Sequence, residues 1–87
     1  MPRFYLHVSD SSGFVEDDEG LDLPDAGAAR QAAVEGLRDM LAGDLRNGHL
    51  NTACFVEIEN DHRQLVDTVS FAEAVRINGE LPNKSSS

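Results

Sequence analysis

From Arg3 to Val8 the chain alternates with a period of two. Phe4, Leu6 and Val8 fall on one side, and Arg3, Tyr5 and His7 on the other. This is the pattern of a half-buried strand. Ser9-Asp10-Ser11-Ser12-Gly13 follows, a cluster of residues that bond their own backbone or accept positive φ, so a turn is predicted there. Phe14-Val15 starts a second strand, which runs into the acidic stretch Glu16-Asp17-Asp18-Glu19 and then Gly20. Leu21 and Leu23 resume the period of two. The prediction is a hairpin over residues 3–16, then a bend or short extra strand over 20–23.

The period then changes. Pro24 pushes Leu23 away from helical dihedrals. Asp25 can accept from the free N–H groups of a first turn, which makes it an N-cap. From Ala26 to Arg46, Ala26, Ala29, Ala33, Val34, Leu37, Met40, Leu41 and Leu45 fall on one side at 100° per residue, with Gln31, Glu35, Arg38, Asp39 and Arg46 opposite. This is an amphipathic helix, and Asn47-Gly48 supplies its C-terminal stop. Gly27, Gly36 and Gly43 lie inside it, each costing about 1 kcal/mol relative to alanine, so tertiary packing must hold the helix. Arg30 and Asp44 sit at or within the apolar stripe, where an ion pair with the sheet is expected.

Cys54 to Glu59 reads as a third strand, with Cys54, Val56 and Ile58 inward and Glu57 and Glu59 toward water. Asn60-Asp61-His62-Arg63 is a turn, and Gln64 to Val69 a fourth strand. Ser70-Phe71-Ala72-Glu73 has the form of a capping box, with Val69 and Ala74 placed for a hydrophobic staple, so a short helix is expected over Phe71–Val75. The order β-β-α-β-β predicts an α+β fold: a two-layer sandwich in which a four-stranded, mainly antiparallel sheet carries one long covering helix and a short C-terminal helix. Residues 1–77 are read as one domain and 78–87 as a flexible tail.

Composition narrows the function. At 87 residues and 40% hydrophobic the chain can build one core. It carries 7 basic and 16 acidic residues, a net charge of −9. The basic residues are scattered, so nucleic-acid binding is not expected. No run is apolar enough to span a membrane, and no apolar segment follows the basic start as in a signal peptide. The single Cys54 cannot form an intrachain disulfide, which points to a reducing compartment such as the cytoplasm.

Candidate chemistry is sparse. His7, His49 and His62 fall in different elements with no metal-ligand spacing, and Cys54 has no partner for a zinc site. The run Glu16–Glu19 lacks the alternation of a calcium loop. Cys54 lies at an inward strand position, unlike a nucleophile. No metal, cofactor or catalytic residue is expected.

The openings Met1-Pro2-Arg3-Phe4-Tyr5-Leu6-His7-Val8 and Glu16-Asp17-Asp18-Glu19-Gly20, with Leu23-Pro24-Asp25, Ala28-Ala29-Arg30 and Phe71-Ala72-Glu73-Ala74-Val75, carry a resemblance. Together they resemble a family of small uncharacterised proteins common in alphaproteobacteria, especially rhizobia, over nearly the whole chain up to Ile77. That family is a domain of unknown function, so the resemblance implies no site residues. The order of hairpin, Leu-Pro-Asp segment and Ala-rich helix is also similar in layout to HicB-type antitoxins, though the Gly-Asp-Thr-like helix entry and a DNA-binding extension are missing.

One helix covers one sheet face. Tyr5, His7, Phe55, Val66 and Thr68 are assigned by alternation to the other, with nothing predicted to cover them. The expected function is therefore a non-enzymatic interaction or regulatory module, acting through Tyr5, His7, Phe55 and Val66 as a homodimer or with a protein partner. The alternative is a small-ligand or metal-ion binder using His7 and the acidic loop.

Overall fold

In the computed structural model, residues 2–10 and 13–75 are described. The boundary expected at residue 77 and the tail 78–87 lie outside them. Strand β1 (Arg3–Asp10) pairs antiparallel with β2 (Gly13–Val15) on one side, in the register Val8 to Val15 and Asp10 to Gly13. The chain then leaves the ladder over residues 16–20 and returns as β3 (Leu21–Asp22), pairing Phe4 with Leu21 on β1. Five residues, 16–20, thus lie against three of β1, 5–7. The predicted extra strand is this returning segment of a broken edge strand.

Helix α1 (Ala26–Arg46) begins at Asp25, whose carboxylate accepts from the Ala28 N–H at 2.8 Å. It ends at Asn47, with Gly48 at φ +90° and the His49 N–H returning to the Asp44 carbonyl at 3.2 Å. These are the termini the capping residues predict. Strand β4 (Phe55–Glu59) pairs antiparallel with β1, and β5 (Leu65–Ser70) with β4, giving the order β2-β1-β4-β5 with β3 beside β1. Helix α2 (Phe71–Ala74) follows at once, and both arms of its Ser70–Glu73 capping box are formed. The fold is α+β, an antiparallel sheet covered by one long helix, as expected.

The core lies between α1 and the sheet. Ala29, Ala33, Leu37 and Leu41 meet Phe4, Cys54, Val56, Ile58, Val69 and Ala74. Alanines at the start of the stripe allow the helix to approach the sheet closely, and leucines fill the wider end. Two stripe positions depart from the prediction. Ala26 is exposed in the first turn, and Leu45 in the last turn is exposed as well. Arg30 bridges Asp67 of β5 at 3.0 Å and Glu73 of α2 at 3.2 Å, the ion pair its place on the stripe suggests. Arg38 Nε donates to the Ala74 carbonyl, fastening the same flank.

Candidate functional site

The face of the sheet turned away from α1 is organised in cross-strand rows. Ser9 stands between Phe14 and Phe55, with Ser70 beyond. His7 stands beside Glu57, with Thr68 beyond, and Tyr5 beside Glu59. Tyr5, His7 and Phe55 are thus brought onto one surface, as alternation predicts. Val66 is not placed by alternation. The register shifts between Ile58 and Glu59, so Asp67 faces Ile58 and Leu65 faces Glu59, with Val66 the extra residue of a bulge. Leu65 therefore takes the cross-strand position expected of Val66, and both are exposed.

His7 is the centre of this face, and it is buried within the chain at 4% exposure. Its Nδ1 accepts the Asp17 backbone N–H at 3.0 Å. A ring nitrogen that accepts from an amide carries no proton, so the proton of the neutral ring sits on Nε2. Nε2–H donates to Glu59 Oε1 at 3.1 Å. The Phe14 ring lies 5.8 Å away, centroid to centroid. Glu59 was expected to face water, but it is half-buried because His7 and Arg63 draw it onto the sheet. The hydrogen bond from His7, reinforced by Arg63, holds the Glu59 carboxyl below its ordinary value.

Asp17 supplies the other half of the network. Its Oδ2 accepts from the Leu6 N–H at 3.0 Å, and its Oδ1 from the Glu19 and Gly20 N–H groups at 3.2 and 2.9 Å. The carboxylate thus replaces the strand that residues 16–20 abandon, satisfying an edge donor of β1. Partial burial raises its pKa, but the bonds from Gly20, Leu6 and Glu19 outweigh this and leave it lowered. Gly20 closes the loop at φ +76°, where a Cβ would stand 2.8 Å from Arg3 Cγ. Glycine meets both demands.

At the other end, Asn60 Oδ1 accepts from the His62 and Gln64 N–H groups and holds the β4–β5 turn. Arg63 takes a left-handed conformation, φ 61°, and lays its guanidinium 4.0 Å from the Tyr5 ring centroid. Asp17, Arg63 and Glu59 are the residues that sequence patterning missed. The spacing Asp17-x-x-Gly20 was an available signal for a side-chain-closed turn. Nothing in the pattern marked Arg63.

The remaining candidates are placed as follows. Cys54 is buried beneath α1; burial pushes its thiol up, and the neighbouring Asp10 and Asp44 charges add to this. Asp10, Asp44 and His49 line an open polar cleft of about 410 Å³ at the end of α1. His62 is exposed in its turn. Among the described residues no group of three His, Cys, Asp or Glu side chains could hold a metal ion. No helix among them is long and apolar enough to cross a membrane.

The fold and its internally bonded histidine face define a small α+β domain. The chain belongs to a family known as a domain of unknown function, DUF6894, whose profile matches residues 3–72. No curated protein and no solved structure matches the chain.

Proposed function

We propose that this protein is a non-enzymatic interaction module that works as a two-fold homodimer through the sheet face opposite α1. The observation that carries this reading is the saturation of His7. Both ring nitrogens are engaged, one by the Asp17 amide and one by Glu59. A general base needs a lone pair free for a substrate proton, and here a backbone amide occupies it. Around this closed polar centre, Phe14, Leu65 and Val66 are exposed and Tyr5 and Phe55 half-buried, a mixed surface of the kind that partners cover.

Edge-to-edge pairing is a poorer route to assembly. On β5 the Thr68 N–H is bonded to Asp67 Oδ1 and the Ser70 N–H to Glu73 Oε1, so these amides are closed to another strand. The opposite edge is broken by residues 16–20. A face-to-face dimer avoids both obstacles. The alternative reading, an ion or ligand site built on His7 and the acidic loop, is weakened by the same bonds. Asp17 already accepts three backbone N–H groups.

Sedimentation at low and moderate salt tests the proposal. A dimer is expected, weaker at low salt because two acidic chains repel each other over a longer screening distance. Phe55→Glu should give folded monomers. A wild-type chain that stays monomeric at micromolar concentration in moderate salt overturns the reading, as does a Phe55→Glu chain that remains dimeric.

A further inference from the structure

Helix α1 does not lie centrally on the sheet. Arg30 and Arg38 bind one of its flanks to β5 and α2. The other flank stops short of the β1–β2–β3 side. There the helix-facing residues Leu6 and Val8 are only half-buried, and Val15, paired with Val8, and Leu21, paired with Phe4, are 68% and 46% exposed. The gap is a groove of about 390 Å³, floored by Leu6 and Val8, walled by Ala32 and Gly36 of α1, and bounded opposite by Glu19 and Leu21.

Three observations identify what fits it. First, the helix wall is cut low. Nothing lies within 4 Å of where a Cβ at Gly36 would be, so neither packing nor a left-handed φ calls for glycine there, in a helix that glycine weakens. Its absent side chain keeps the groove open. Second, both rims are acidic. Glu16, Asp18 and Glu19 are exposed on the loop side, while Glu35 and Asp39, three residues on from Ala32 and Gly36, are exposed on the helix side. Arg3, the basic residue at this end, is already held by Asp22 and the Glu19 carbonyl. Third, the groove takes a short stretch of helix and not an added strand. Its helix wall runs from Ala32 to Leu37, roughly 8 Å at 1.5 Å per residue, about one and a half turns. The edge beside it consists of a three-residue β2 and a two-residue β3 with a loop between, too broken for an added strand.

We infer that this groove docks an amphipathic helix of a partner protein, with an apolar stripe on Leu6, Val8 and Gly36 and flanking lysine or arginine on the acidic rims. A second copy of the chain is disfavoured there, because it would bring acidic rim against acidic rim. The inference shares with the proposed function only the premise that the chain works by binding, and it concerns a different surface.

The test is a titration of the full chain with a labelled Leu/Ala/Lys helical peptide of about 18 residues, leucines at i, i+3, i+4 and i+7, followed by fluorescence anisotropy. The same peptide with Glu in place of Lys is the control. The basic peptide should bind, and the acidic one at least about tenfold more weakly. Gly36→Leu leaves every charge in place and fills the groove. It should weaken the basic peptide at least about tenfold without lowering the melting temperature. Phe55→Glu should leave peptide binding unchanged, so a failure here is separable from a failure of the dimer. No binding, equal binding of both peptides, or binding unaffected by Gly36→Leu overturns the inference. So does self-association abolished by Gly36→Leu, which assigns the groove to a second copy. Binding that appears only after Ile77 and Leu81 are both changed to Ser overturns it too, assigning the groove to the chain's own C-terminal residues.

Discussion

The two faces of β1 are held by different physics. Toward α1, Phe4 is buried among Leu37, Ile58 and Val69, and the contribution comes from apolar area removed from water. On the other side, His7 is buried almost as deeply, but by hydrogen bonds to a loop amide and a carboxylate from another strand. The first face tolerates approximate shape, since many contacts share the load. The second depends on a few directional bonds, each of which leaves a partner unsatisfied if removed.

Substitutions on the two faces should separate these regimes. The largest effect is expected at the apolar one. Leu37→Ala should destabilise by about 2–5 kcal/mol, read as a shift of the denaturation midpoint. A loss under about 0.5 kcal/mol would mean that α1 does not carry the core. On the polar face, Asp17→Ala removes the acceptor of three N–H groups and should cost about 1–3 kcal/mol, less than a full core deletion because the loop admits water. His7→Phe combined with Asp17→Ala should cost less than the sum of the single changes, since both break one network. Strict additivity would dissolve the polar face as a unit.

Acid sharpens the contrast. Asp17 is held below its ordinary 3.8, so the unfolded chain takes up that proton at a higher pH than the folded one. Its stabilisation is complete above that value and is lost as pH falls through the lowered one. The stability difference between wild type and Asp17→Asn should therefore shrink in acid urea titrations below about pH 3.8, whereas the Leu37→Ala difference should not depend on that carboxyl. The smallest effect lies on α1. Gly36→Ala has open space around the new methyl and should stabilise by about 0.5–1 kcal/mol.

The apolar face was legible before any coordinates because strand and helix periods repeat. Spacing alone assigns Phe4, Val56, Ile58, Leu37 and Leu41 inward, and all are buried. The caps at Asp25, Gly48 and Ser70 were equally legible, since each answers a local demand of its helix end. The polar face was legible only in part. Alternation put Tyr5 and His7 on it, but not the closure of His7 by a residue ten positions away and another fifty-two away.

What the sequence by itself determined is what neighbours along the chain set: the strands, the long helix with its caps, and the side most strand and helix residues take. Tertiary structure decided what depends on how these elements sit together. It turned Asp17 inward from a run of four similar acids, because a backbone N–H of β1 needed an acceptor where the edge strand breaks. It moved Val66 into a bulge by a register shift that the period of two cannot announce. It tied α1 toward β5 and α2 through Arg30 and Arg38, leaving the groove beside Gly36 open. Local spacing can specify which way a side chain points, but hydrogen bonds between distant elements exist only once the sheet has been assembled.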